Sequence, residues 1–291
     1  MKLHKGFLLL ALGVLVFFVA CDPPGDNPTV AKRIFWARED LQVPRRDLRC
    51  AAIADLAGSV VNVLENADFP LPWYGLRIDR TGAKLYWADG ESFDKIIRAN
   101  LDGSGRETIV NGAGIVAFCL DEPGRKLYWS EHNMIRRANL DGSDPEDVFE
   151  HPGLDVYFLA IDSRDEKIYF SELNHIYQLN MDGTGCVTLI ESDVFFGLEF
   201  DAINRKLYWV RNAAEAQGFE QADPDGLNHL SIEIGENIKY FAIDPAGKIY
   251  FAVSGIMSDI IKRGNFDGTS IETLYTEEGQ AEISGLALEF E

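Results

Sequence analysis

The stretch Gly75-Leu76-Arg77-Ile78-Asp79-Arg80-Thr81-Gly82-Ala83-Lys84-Leu85-Tyr86-Trp87-Ala88-Asp89 decides the fold. Its first five residues alternate in polarity, as a half-buried strand does. Arg80 to Gly82 is a turn, and Lys84 to Asp89 is a second strand, rich in aromatics. Reading outward, Lys95 to Asn100 is a third strand and Glu107 to Val110 a fourth. The hairpin between them, Leu101-Asp102-Gly103-Ser104-Gly105, supplies glycines for positive φ. The pair Tyr86-Trp87 recurs as Phe35-Trp36, Tyr128-Trp129, Tyr169-Phe170, Tyr208-Trp209 and Tyr250-Phe251. From the second aromatic of each pair the steps are 51, 42, 41, 39 and 42 residues. A period of about forty with four short strands per unit marks propeller blades. One blade cannot bury its own faces, so the count predicts an all-β, six-bladed β-propeller of four-stranded blades.

The other repeat signals agree. First-strand patterns return at 117–121, 158–162, 197–201 and 240–244, and Asp-Gly hairpins at Asp141-Gly142, Asp182-Gly183, Asp225-Gly226 and Asp267-Gly268. Two units look incomplete in complementary ways. Phe35-Trp36 has no first strand before it, and Gly285-Leu286-Ala287-Leu288-Glu289 has no aromatic strand after it. Pairing the N- and C-terminal strands in one blade completes the ring and removes an exposed sheet edge. The 51-residue step is assigned to an inserted loop, Arg38 to Pro44.

The chain has 291 residues and a formal net charge of −20, so nucleic acid is not an expected partner. Residues 1–20 read as a signal peptide: a basic start, then an apolar run from Gly6 to Ala20 that is short for a membrane span. Phe18-Val19-Ala20-Cys21 resembles a bacterial lipoprotein cleavage box with Cys21 as the lipid acceptor. The expected location is therefore the bacterial cell envelope, exported and lipid-anchored. Residues 21–30, with three prolines, form a semi-rigid tether, and 31–291 form the propeller. Cys50, Cys119 and Cys186 show no metal-ligand spacing and are read as buried free thiols, with a disulfide left open.

The segments 75–79, 84–89 and 97–103 together resemble a low-density-lipoprotein-receptor class B, or YWTD, repeat, and the resemblance covers residues 31–291 six times over. It implies a six-bladed propeller that binds other proteins through one end face and is not, as a rule, an enzyme. The motif's fourth-place acid is kept as Asp89, Glu131 and Glu172 and becomes Arg38, Arg211 and Val253 elsewhere. A receptor's ligand does not transfer with the fold.

No catalytic, cofactor or metal residue is assigned. The Asp-Gly hairpins sit one per blade and do not converge as calcium requires. The histidines His4, His132, His151, His175 and His229 lack metal-ligand spacing, and there is no nucleophile elbow or phosphate loop. The candidate binding face gathers Trp73, Tyr74, Tyr157 and Phe196 before the first strands with Asp89, Glu131, His132, Glu172 and Arg211 after the aromatic pairs. In the middle of the first strands, Arg77 and Glu199 stand among Cys119, Ala160, Ala242 and Ala287. They lie three blades apart and are expected to reach the central channel. The reading is a non-catalytic binding propeller for a protein, peptide or glycan. The rivals are a gluconolactonase-like hydrolase with a metal in the channel and a purely structural envelope module.

Overall fold

The computed structural model describes residues 31–40, 42, 45–65, 75–89, 94–153, 155–172, 174–191, 195–213, 216–255, 257–277 and 279–290. Residues 1–30, where the sequence suggests a signal peptide, a lipid-accepting Cys21 and a tether, lie outside them. The described residues form six four-stranded antiparallel sheets. Five are built from consecutive strands. The first blade takes its inner strand, Ala281–Phe290, from the far end of the chain and its other strands from Ala31–Asp40, Arg45–Ala52 and Val61–Leu64. The two chain ends pair in register, Phe35 with Ala287 and Trp36 with Leu286. The inner strands of successive blades touch around the axis, and the strand Ile238–Asp244 returns to Ala281–Phe290. The fold is a six-bladed β-propeller.

The aromatic pair explains why the blades stack. Neighbouring residues of a strand point to opposite faces. Tyr86 therefore enters the core shared with Phe118 and Trp129 of the next blade, while Trp87 enters the core shared with Phe35 of the preceding one. The same exchange places Tyr128 with Phe170, Tyr169 with Trp209, Tyr208 with Phe251, and Tyr250 with Trp36. Each inter-blade core thus takes the first aromatic of one blade and the second of the next. All four of these tryptophans are buried, each side chain worth about 1.5–3 kcal/mol relative to exposure.

Polar repeats tie the same seams. Asp79, fully buried at the end of its inner strand, accepts two hydrogen bonds from the Arg125 guanidinium of the next blade, at 2.7 and 2.8 Å. Burial pushes the Asp79 carboxyl up, but Arg125 and the turn amides hold it below the usual carboxylate range. Asp162 takes Arg205 in the same way, and Asp121 takes the Ser163 hydroxyl. In the hairpins Asp102, Asp141, Asp182 and Asp267 each accept the hydroxyl and amide of the Ser or Thr two residues on. Their oxygens serve turn chemistry. The following glycine is required twice over at Gly142: φ is 82°, and a Cβ would meet the Ile109 carbonyl oxygen of the preceding blade at 1.9 Å.

The extra length of the first blade is not where the sequence suggested. Arg38 to Asp40 continue the strand, and Asp40 pairs with Arg45, so the two strands are paired up to the residues that flank the connection. The additional residues lie in a short 3₁₀ turn at Ile53–Asp55 and in the crossing to the second blade, 65–75, where the next crossing needs only 112–114. A charged Arg-Glu-Asp run looks like a loop locally, but Arg38 is 6 % exposed. The three described cysteines are unpaired; Cys50 and Cys119 are buried and Cys186 is half-buried.

Candidate functional site: one end face and the axial channel

Strand register brings the starts of the inner strands and the ends of the aromatic strands to one end of the ring. Ile115 pairs with Glu131, Phe195 with Arg211 and Ile238 with Val253. On this face His132 and Tyr157 are exposed. His132 holds φ of 55°, an unusual conformation for a residue with a side chain. Its amide donates to the Gly114 carbonyl at 3.2 Å and its carbonyl accepts from Val156 at 2.9 Å, so the turn links two blades. Its ring stands 4.0 Å from the Asp155 carboxylate. Trp73 and Tyr74 lie outside the described residues, as do the side chains of Asp89 and Phe196.

The remaining candidates are tied into the blades. Glu131 accepts the Trp129 indole N–H at 2.9 Å and faces Arg136 at 3.3 Å. Glu172 accepts the Tyr177 hydroxyl at 3.1 Å and lies 3.2 Å from His151 Nδ1. Burial, with Glu172 beside it, pushes the Tyr177 hydroxyl up to about 12. Arg211 reaches Glu220 at 3.0 Å and Glu233 at 2.6 Å.

Three carboxylates at this end escape the repeat pattern, each in a blade that has lost the motif's acid. Where Arg38 stands in place of the acid, Glu277 enters. It accepts the Trp36 indole at 2.5 Å, Arg38 Nε at 3.0 Å and Arg49 Nη1 at 2.8 Å. Where Arg211 stands, Glu220 enters, 2 % exposed, with His229 and Ser231 also bound to it. In the blade of Val253, Asp259 accepts the Ile283 amide at 2.8 Å and Lys239 at 3.0 Å. Burial pushes the Asp259 carboxyl up against these partners. The sequence held a signal for the first two: an arginine replacing an acid in a packed strand needs a new carboxylate.

The inner-strand midpoints Arg77, Cys119, Ala160, Glu199, Ala242 and Ala287 all pair with the first aromatic of their blade, which sets them at one level around the axis. Arg77 and Glu199 meet there, Nη2 to Oε1 at 2.9 Å. Arg77 Nη1 also donates to the Leu76 carbonyl at 3.1 Å. Burial raises the Glu199 carboxyl, and Arg77 opposes the rise. Each is preceded at two residues by a positive-φ glycine, Gly75 and Gly197. At Gly75 the φ of 63° favours glycine, while a Cβ there would only touch the Arg77 guanidinium, at 3.4 Å. On the side of the end face the bridge floors a vestibule of about 50 Å³, lined by residues of all six blades. On the other side opens a cavity of about 540 Å³. Among the described residues, no group of three or more His, Cys, Asp or Glu side chains is placed to hold a metal ion.

No protein-family model matches the chain. Over 126 residues, 40 % of its length, it is 27 % identical to the vitellogenin receptor of Solenopsis invicta, of which the match spans 7 %. Over 98 residues, 30 % of its length, it is 32 % identical to the protein cueball of Drosophila grimshawi, of which the match spans 16 %. The chain thus corresponds to a small part of each of these relatives. Among solved structures it is similar to a chain of a nidogen/laminin complex, with a TM-score of 0.72, 19 % identity, and coverage of 89 % of this chain and 98 % of that one. TolB from Acinetobacter baumannii gives a TM-score of 0.70 at 14 % identity, over 90 % and 68 % of the two chains. A gluconolactonase from Xanthomonas campestris gives 0.57 at 17 %, over 87 % and 89 %. At these identities the structural likeness is one of fold.

Proposed function

We propose that this chain, a six-bladed β-propeller of the YWTD type, is a non-catalytic binding module that takes a protein, peptide or glycan on the end face carrying His132 and Tyr157. The observation that supports it most is the exposure of Tyr157, 37 %, on this face. An exposed tyrosine is the kind of large, rigid anchor that dominates interface energies. The similar fold found in a nidogen/laminin complex is in keeping with protein recognition. Affinity capture from envelope extracts tests the reading. The wild-type chain is expected to retain a ligand that the Tyr157→Ala/His132→Ala variant binds about tenfold or more weakly. Ile203→Ala, at the opposite end, is expected to keep it. Equal capture by the face variant would sink the proposal.

The hydrolase reading has the gluconolactonase fold in its support. Against it, the two charged groups at the axis, Arg77 and Glu199, are spent on each other. We propose further that lipid on Cys21 holds the propeller at a bacterial envelope. Cells fed labelled palmitate are expected to label the wild-type chain and not Cys21→Ser, which moves to the soluble fraction. A Cys21→Ser chain that stays with the membranes would refute the anchor.

A further inference from the structure

We propose that the outer edge of the fifth blade, the strand Leu230–Glu233, docks an extended peptide segment of alternating apolar and basic residues, which joins the sheet as a fifth strand. An edge strand leaves backbone N–H and C=O groups open to further pairing, and a bulge twists such an edge away from partners. Among the described residues, five of the six outer strands carry a bulge within their length, at Leu48/Arg49, Ile96/Ile97, Ile135/Arg136, Ile176/Tyr177 and Ile261/Lys262 of the inner neighbour. Leu230–Glu233 is straight. Its residues stand opposite Gln221, Glu220, Phe219 and Gly218 in unbroken order. The irregularity comes only past its end, where the Ile234 and Gly235 amides both donate to the Gln217 carbonyl, at 3.0 and 2.9 Å. The charge that guards other edges is missing too. Glu107, Glu146 and Glu272 open their strands opposite Arg98, Arg137 and Arg263 and bind them. The equivalent pair here is Leu230 and Gln221, and Leu230 is 51 % exposed. A straight edge with an exposed apolar residue is one that pairs with another chain.

Charge selects the occupant. The last strand pair of this blade and the turns at its two ends carry five carboxylates, of Glu220, Asp223, Asp225, Glu233 and Glu236. Three cations meet them. Lys206 binds Asp223, Lys262 binds Glu236 at 2.6 Å, and Arg211 is shared between Glu220 at 3.0 Å and Glu233 at 2.6 Å. His229, also on Glu220, counts as neutral at pH 7. Two negative charges remain in surplus here, in a chain of net charge −20. A second copy would bring the same surplus to the same edge, so like charges would meet. An alternating apolar and basic segment answers both faces of the strand. Its apolar side chains continue the face of Leu230 and Ile232, and its basic ones the face of Ser231 and Glu233. Main-chain hydrogen bonds supply the affinity of an added strand and the alternating side chains its selectivity.

The site stands apart from the end-face reading, since its variants leave Tyr157 and His132 untouched. Fluorescence anisotropy of the full chain with a labelled seven-residue peptide of alternating valine and lysine, at about 0.15 M salt, tests it. One peptide is expected to bind per chain. The same peptide with methylated backbone amides keeps its charge and loses its donors, and is expected to bind about tenfold more weakly or not at all. Leu230→Lys, which restores a charge to the edge, and Glu233→Lys are each expected to weaken the unmethylated peptide about fivefold or more, and Glu233→Lys to favour a valine–glutamate peptide instead. Glu107→Lys, on the bulged edge of the second blade, is expected to leave binding unchanged. All three positions are exposed, and thermal melts verify that the variants fold. Absence of binding, equal binding of the methylated peptide, or an equal loss in Glu107→Lys would overturn the site. Self-association of the chain that Leu230→Lys abolishes would assign the edge to a second copy and overturn it as well.

Discussion

A chain ended after Gln280 is expected not to fold. The lost strand, Ala281–Phe290, is the inner strand of the first blade and the partner of Ala31–Asp40 along its length. Ile283, Leu286 and Leu288 leave the core that holds Trp36 and Tyr250, a loss of roughly 5–9 kcal/mol at about 1.5–3 kcal/mol per side chain. Domain stabilities are about 5–15 kcal/mol in total. Asp259, buried, also loses the Ile283 amide, and an open sheet edge invites association. Circular dichroism and calorimetry are expected to show no cooperative transition, with aggregation on concentration. A circular permutant controls for the loss of sequence. Ala31 lies opposite Phe290, so residues 281–290 moved ahead of Ala31 through a two-residue turn form a hairpin. That permutant is expected to melt as the intact chain does. A truncated chain with a full cooperative melt would show that closure does not hold the ring.

Glu277→Ala is expected to be the most damaging single polar substitution, at about 3–5 kcal/mol, the cost of breaking a buried ion pair by removing one partner. Glu277 is 2 % exposed and binds Trp36, Arg38 and Arg49. Its removal leaves Arg38, itself buried, beside an emptied site. Arg49, with 17 % of its side chain exposed, has a route to water. The double variant Arg38→Met/Glu277→Leu is expected to regain only part of the loss: the two apolar groups need no partners, but the buried Asp47 loses Arg38, 3.8 Å away. Urea unfolding gives both values. A shift below about 1 kcal/mol for Glu277→Ala would place the network among ordinary surface pairs.

Blade number, strand order within a blade and ring closure were legible because their causes are local. A strand with a period of two needs an apolar residue on each face, and the aromatic pair answers that need six times. The same locality misled at Arg38 to Asp40, whose charges imitate a loop while the fold buries Arg38 against an acid 239 residues away. Arg38 and Arg211 signalled that new carboxylates were needed, but no spacing along the chain says that Glu277 and Glu220 supply them, and Asp259 carried no such signal.

The axis shows the division most clearly. From the sequence alone, Arg77 and Glu199 occupy equivalent positions three blades apart, and the small residues between them mark a crowded centre. Only the closed ring decides that the two side chains span that centre and meet at 2.9 Å, separating a vestibule of about 50 Å³ from a cavity of about 540 Å³. The repeat encodes each blade through local periodicity. The distance across the axis is set by how six blades pack against one another, and no single repeat contains it.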